Sequence, residues 1–247
     1  MAIERMKTNI KGFDELIEGG IPRNYHVMIC GLPGTGKTIL ALEALYRGAV
    51  EFSEPALFVA IGEDSEKVIK DQASKFGWDL ENTKNFKLYV ISVTKTPFDI
   101  ISDIQDQAKK INAKRIAIDS LTALSINSVY FSRGMVVNLM KTMGDAASDS
   151  LNERASNSVI QRFIYLVISG LQSLDSNVFY ITDLSISGSS LDGISEYVGD
   201  GLILLKSVPL GKDVQRTIQV VKLRSTNISG GIFDIDFTSN GMIVSSE

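Results

Sequence analysis

Gly31-Leu32-Pro33-Gly34-Thr35-Gly36-Lys37-Thr38 is the stretch from which the fold can be read. It satisfies G-x-x-x-x-G-K-[ST] at every position. Its flanks also fit: residues 26–30 are an apolar strand-like run, and residues 37–52 are amphipathic with helical spacing. Such a turn lets backbone N–H groups point inward around a phosphate, at the positive end of the following helix. In that arrangement Gly31, Gly34, Thr35 and Gly36 form the cradle. Lys37 places a cation on the β/γ-phosphates, and the Thr38 hydroxyl is a ligand for Mg²⁺. A chance glycine-rich turn would not bring both flanks with it.

Outward from the loop, the chain alternates. Residues 56–61, 87–91, 115–119 and 178–182 are short, β-branched or aromatic, and nearly continuous in apolarity. Parallel strands covered on both faces read this way. Between them, 66–76 follows Asp64-Ser65, a helix-start signal. Residues 97–111 have Thr96 as N-cap, Pro97 at the first helical position, and Phe98, Ile101, Ile104, Ala108 and Ile111 at helical spacing. Strands alternating with helices predict an α/β fold with a mostly parallel sheet flanked by helices. After residue 201 the pattern changes. Residues 202–206, 217–223, 232–237 and 242–244 are strand-like with no helix between them, and Ser239-Asn240-Gly241 marks a tight turn. This predicts antiparallel strands over 202–247 extending the sheet. Residues 131–161 do not fit the alternation and read either as an extended helical connection or as a functional insertion. With 1–24 as an N-terminal lead-in and no linker or repeat, one domain over 1–247 is expected.

The bulk properties narrow the function. The 247 residues carry 25 Lys+Arg, 29 Asp+Glu and one His, a net charge of −4, with 44% hydrophobic and 22% charged residues. That is a globular composition, not a disordered one. A pI near 5.2 argues against coating nucleic acid by bulk charge. One cysteine, Cys30, leaves no disulfide framework and too few thiols for a cysteine metal cluster, and a reducing cytoplasm suits it. The first residues lack the apolar core of a signal peptide. The most apolar run, 163–171, is far short of the roughly 20 residues that span a bilayer, so no membrane insertion is expected.

A phosphate loop needs a metal-handling partner, and Arg115-Ile116-Ala117-Ile118-Asp119-Ser120 supplies one. Asp119 ends an apolar strand where open α/β sheets place ligands. Hydrolysis also needs a group that orients or deprotonates water. Glu63, just after strand 56–61, is the candidate, with Asp64 beside it as the helix-capping alternative. His26, Cys30 and Trp78 read as structural residues. Lys109-Lys110 with Lys114-Arg115 reads as a solvated basic helix end.

These residues resemble the KaiC-like branch of the RecA superfamily of ATPases, which includes archaeal RadA paralogues. The resemblance rests on Thr8 to Asp14 with Gly19-Gly20-Ile21-Pro22, on the loop itself, and on Gly62-Glu63-Asp64-Ser65. It continues through Phe76-Gly77-Trp78-Asp79, Ile118-Asp119-Ser120-Leu121-Thr122-Ala123-Leu124, Tyr197-Val198-Gly199-Asp200-Gly201 and Lys222-Leu223-Arg224-Ser225-Thr226. It implies a RecA-like P-loop ATPase core, ATP with Mg²⁺, slow hydrolysis, and head-to-tail rings, hexamers by expectation. It casts Glu63 as the catalytic carboxylate, and Lys222 and Arg224 as cations acting on the γ-phosphate of the neighbouring subunit. Read from residues alone, the last two also fit an ordinary surface strand. Asn24 and Ser225 stand where the family has Gly, and Asp183 where it more often has Glu or Gln.

The resemblance leaves three functions open. One is a ring-forming regulatory or mechanochemical ATPase with an unknown protein partner. Another is a nucleotide-gated accessory protein with little hydrolysis. The third is a recombination or DNA-repair mediator. Against the third, residues 183–196, where such proteins grip DNA, contain Asp183, Asp192 and Glu196 and no Lys or Arg. Phosphate binding needs cations or exposed N–H groups, so weak nucleic-acid affinity is expected.

Overall fold

The apolar runs become strands buried on both faces. In a computed structural model, residues 3–62, 65–92, 95–124, 150–184, 198–211 and 213–245 are described, those at 97 and 150–160 by backbone only. The order is β1 (Arg5–Met6), a 3₁₀ turn (Asp14–Ile17), β2 (Ile21–Pro22), β3 (His26–Gly31), α1 (Lys37–Glu51), β4 (Ala56–Ile61), α2 (Ser65–Lys75), β5 (Phe86–Ile91), α3 (Pro97–Ile111) and β6 (Arg115–Asp119). Then follow α4 (Ser150–Leu171), β7 (Asn177–Asp183), β8 (Gly201–Leu210), β9 (Asp213–Leu223), β10 (Phe233–Thr238) and β11 (Gly241–Ser245). Among the described residues one nine-stranded sheet has the order β11-β10-β9-β8-β3-β7-β6-β4-β5, and β1 pairs with β2 separately.

Side-chain alternation divides the core into two layers. Val27 and Ile29 of β3 face the layer that holds Leu42 and Leu45 of α1 and Ile69 of α2. Met28 and Cys30 face the layer that holds Ile104 of α3 and Ile164 and Ile168 of α4. This two-sided cover is why the parallel strands read as continuous apolar runs. Thr96 caps α3, its hydroxyl accepting from the Asp99 N–H at 3.3 Å, with Pro97 opening the helix.

Three expectations are revised. The segment expected as a short antiparallel strand is the ten-residue β8, which pairs parallel with β3 and antiparallel with β9. The β8–β9 pairing takes in 207–210 and 213–216, mostly exposed and with polar residues interrupting the apolar ones, so an apolarity reading cuts both strands short. Second, Arg115 is not part of a solvated basic cluster. It is 1% exposed, its guanidinium donating to Glu54 Oε2 at 2.6 Å and Ala44 O at 2.7 Å and lying over the Phe52 ring. Lys109 and Lys110 are exposed as expected. Third, α4 is one helix over Ser150–Leu171 and crosses the boundary expected at residue 161; the apolar run 163–171, too short to span a bilayer, is its second half. Most of the unexplained stretch 131–161 lies outside the described residues. None of the described helices is long and apolar enough to cross a membrane.

Candidate functional site

The loop joins the C-terminal end of β3 to the first turn of α1. Gly36 is the N-cap of α1 with φ +104°, and Gly34 has φ +81°, a left-handed region that side chains disfavour. A Cβ on Gly36 would lie 2.5 Å from the Phe237 ring, and one on Gly31 would lie 2.5 Å from Leu205 O. No side chain caps α1, so its first-turn N–H groups lack an intrahelical partner and face the loop, a seat for an anion. Thr35 Oγ1 donates to Leu32 O at 2.8 Å and braces the turn from inside.

Lys37 is 7% exposed. Its ammonium donates to Gly31 O and Leu32 O, each at 2.9 Å, and lies 2.8 Å from Asp183 Oδ1. Those three contacts match its three N–H donors. Asp183 ends β7 beside the loop: Leu184 N donates to Gly31 O at 3.1 Å, and Asp183 N to Thr122 Oγ1 at 2.8 Å. Sequence reading marked Asp183 as a departure from the family pattern and as an acidic residue of the stretch 183–196, not as a partner of Lys37. Its signal was an acidic residue at the C-terminal end of a central strand.

Thr38 Oγ1 donates to Asp119 Oδ2 at 2.7 Å, although 81 positions separate the two residues. Asp119 ends β6, which pairs with β7, which in turn pairs with β3. Burial pushes the Asp119 carboxyl above the ordinary aspartate value; the Thr38 hydrogen bond and the Lys37 charge oppose that shift. A hydroxyl and a carboxylate are hard oxygen donors of the kind Mg²⁺ takes when phosphates and waters complete its shell. The loop and this pair therefore fit a nucleotide with Mg²⁺. A cavity of about 260 Å³ opens beside the pair, walled by Ile61, Ser65, Ile69, Gln72 and Ser120. Ala60 lies opposite Asp119 in the β4–β6 register, so β4 delivers the chain to this spot. Glu63 and Asp64, the next residues but one after β4, lie outside the described residues.

Arg216 was not singled out in the sequence. It sits on β9 at the phosphate-loop end, with its Nε 3.5 Å from Gly34 O and its guanidinium over the Phe237 ring at 5.6 Å. Phe76 approaches Phe237 with centroids 6.5 Å apart and stacks on Trp78, which in turn stacks on Tyr46. Trp78 is buried, as its structural reading required.

Lys222 and Arg224 are elsewhere. Gly31 is level with Leu205 and Ile218 across β8 and β9, whereas Lys222 pairs with Leu202, beside Met28 near the start of β3. From Ile218 to Lys222 the strand runs about 13 Å away from the loop, at roughly 3.3 Å per residue, and Arg224 is farther still. Within one chain the two cations and the phosphate loop occupy opposite ends of the sheet. Lys222 Nζ donates to Gly199 O at 2.6 Å. Burial and the Arg224 charge push its ammonium below the ordinary lysine value, against the pull of Asp200. Arg224 is exposed and pairs with Asp200 Oδ1 at 2.9 Å. His26, on the same end, is buried, with Nδ1 2.8 Å from the Tyr180 hydroxyl. Asn24 and Ser225, the two replacements of family glycines, adopt φ +62° and +54°.

Comparison with known proteins gives the family and the fold. A family model described as "ATPase: KaiC" matches residues 6–247. The circadian clock oscillator protein KaiC of Synechococcus elongatus is 28% identical over 98% of this chain and 44% of its own length. That of a Picosynechococcus species is 30% identical over 97% and 44%. The chain thus spans less than half the length of these relatives. Among solved structures, a KaiC-like protein from the hyperthermophilic archaeon Pyrococcus horikoshii, PH0186, superposes with a TM-score of 0.80 at 25% identity, covering 99% of this chain and all of the other.

Proposed function

The chain belongs to the KaiC family of ATPase domains, and on that premise we propose that it binds ATP with Mg²⁺ and hydrolyses it slowly as a ring-forming assembly. The observation that carries this reading is the convergence of the uncapped α1 N-terminus, Lys37 and the Thr38–Asp119 pair at the C-terminal edge of β3 and β6. The loop N–H groups and Lys37 hold the β- and γ-phosphates. Thr38 and Asp119 would hold the metal. Mg²⁺, when bound, supplies charge neutralisation on the phosphate oxygens. Glu63, two residues past β4, orients or deprotonates the attacking water. Phe237 and Phe76 offer apolar ring surface for the base, and Arg216 beside them fixes its edge.

The opposite placement of Lys222 and Arg224 supports an assembly. A cation on the far end of the sheet cannot serve its own loop, but head-to-tail stacking brings it to the next one, and closed head-to-tail contacts make rings. One domain over 1–247 suits this reading, since the family match runs through it. The absence of Lys and Arg from 183–196 supports weak nucleic-acid binding and disfavours the repair-mediator role. Retention of Glu63, Lys222 and Arg224 favours turnover over a passive nucleotide sensor.

The test is calorimetry and turnover on the full chain. ATP with Mg²⁺ should bind, and Lys37→Ala should bind about 10²-fold more weakly, the scale of losing charge-assisted hydrogen bonds to phosphate. Turnover per subunit should rise with protein concentration and be indifferent to single-stranded DNA. Equal ATP affinity in the two proteins would overturn the reading. Nanomolar single-strand binding at near-physiological salt would instead restore the repair role.

A further inference from the structure

The cations at the far end of the sheet do not stand free. The turn Gly199–Asp200 holds both of them. Lys222 donates to Gly199 O, and Arg224 Nη1 donates to Asp200 Oδ1 at 2.9 Å. Backbone bonds already pin this turn: Asp200 N donates to His26 O at 2.7 Å, and Arg224 N to Asp200 O at 3.0 Å. The second carboxylate oxygen, Oδ2, accepts from His26 N at 3.1 Å, which fixes the plane of the carboxylate. Three hydrogen bonds to backbone groups therefore hold Asp200, two to His26 at the start of β3 and one to Arg224 just past β9, and its Oδ1 is presented to the Arg224 guanidinium.

A guanidinium has five N–H donors. Asp200 engages one of them, and among the described residues the others make no hydrogen bond to protein. Arg224 remains 58% exposed while it is so held. An arginine that merely closed a surface ion pair would gain little from it, because exposed pairs contribute about 0–1 kcal/mol. An arginine that must reach a phosphate in another subunit gains more, because a long side chain fixed beforehand loses less freedom when it engages.

We propose that Asp200 is the positioning residue of the Lys222/Arg224 pair, aiming Arg224 at the γ-phosphate bound by the neighbouring subunit. This rests on the reading that Arg224 acts in trans. The carboxylate anchors the guanidinium on one edge and leaves the other edge for the phosphate oxygens. Its negative charge also opposes the lowering of the Lys222 ammonium by burial and by Arg224. The neighbour's metal and phosphates are handled by the neighbour's own loop, so Asp200 touches no reacting atom.

The experiment mixes variants of the full chain that are each slowed alone and measures ATP turnover in assemblies shown to be mixed. Asp200→Asn keeps the size of the side chain and the backbone bonds of the turn. Alone, it should bind ATP as tightly as the natural sequence and turn over about 10-fold more slowly, the size of one charge-assisted hydrogen bond lost. Mixed with Glu63→Gln, it should regain activity, because its intact Glu63 meets an intact Arg224. Mixed with Arg224→Ala, it should regain none, because every trans cation is then impaired. Asp200→Glu should restore part of the loss.

A role for Asp200 in its own active site predicts the reverse: recovery with Arg224→Ala and none with Glu63→Gln. That pattern, or undiminished turnover in Asp200→Asn, overturns the proposal. The pair Glu63→Gln with Arg224→Ala separates the two levels. If it recovers, the trans reading holds whatever Asp200 does; if it does not, that reading falls and this proposal with it. Weakened ATP binding in both Asp200→Asn and Asp200→Glu would mark a fold defect and also overturn it.

Discussion

Strand β9 reaches from the phosphate-loop end of the sheet toward the far end, and its cations meet different surroundings at the two. At the end near the phosphate loop, Arg216 lies against Gly34 and the Phe237 ring. Near the start of β3, Lys222 and the following Arg224 lie against the Gly199–Asp200 turn. The loop end is assembled from a contiguous stretch, residues 31–38, to which β6 and β7 each add a single acidic residue. The far end is assembled from three separate segments, with His26 and Asp200 joined across 174 positions of sequence. The first arrangement can bind a ligand within one chain. The second has charge and exposure but no cradle within the chain, which suits the trans role proposed for its cations. Same-strand cations with different jobs should be separable by substitution.

The largest expected effect is at the far end. Arg224→Ala should slow turnover about 10³-fold, the lower range for an arginine acting on a transferred phosphoryl group, with ATP affinity changed only a few-fold. Steady-state rates beside calorimetric affinities check this, and a parallel loss of affinity would collapse the distinction between the two ends. Glu63→Gln comes next, with turnover about 10²-fold slower and binding intact, the usual scale of a general base. Unchanged turnover would pass the role to Asp64 or to no carboxylate.

Arg216→Ala sharpens the comparison from the near end of the same strand. It should weaken ATP by about 3- to 10-fold, the scale of a partly exposed cation–π and edge contact, while the turnover of bound ATP holds. Titration of a fluorescent ATP analogue reads the affinity. An effect confined to turnover would place Arg216 with Arg224 instead.

The smallest effect concerns pH at the far end. Burial holds the His26 imidazole below the ordinary value of 6.5, against the opposing pull of Asp200. Below that pH the unfolded chain takes up a proton that the folded chain refuses, so stability present at pH 7 is lost as pH falls through 6.5 toward the lowered folded value. His26→Gln, which can still meet the Tyr180 hydroxyl, should be the less stable protein at pH 7.5, with the gap narrowing by pH 5.5. Denaturant midpoints at the two pH values measure it. An equal drop in both proteins would assign the acid sensitivity to other groups.

Most of the near end was legible in the sequence because its chemistry depends on residues adjacent in the chain. Glycines at 34 and 36 and the lysine at 37 have their roles fixed by local backbone geometry. Asp119 was legible for a similar reason, as the acidic stop of an apolar run. Arg115 was misread because its charge neighbours Lys114 in sequence, while its partner Glu54 and its cover, Phe52, come from the connection before β4. Asp183 carried the same signal as Asp119, an acidic end to an apolar run, but was not linked to Lys37, and nothing beside Arg216 in the chain marks its contact with the loop.

By itself, then, the sequence determined the order of strands and helices, the parallel character of the sheet and the phosphate loop. Apolar periodicity and glycine placement are local properties, and these features follow from them. Only the tertiary structure decided that β8 belongs to both halves of the sheet, that Asp183 grips Lys37, and that Lys222 and Arg224 face away from their own loop. Strand register across β3, β8 and β9 sets those distances: β8 and β9 form a local hairpin, but β3 pairs with β8 across 174 positions, and only packing between such distant segments fixes that register.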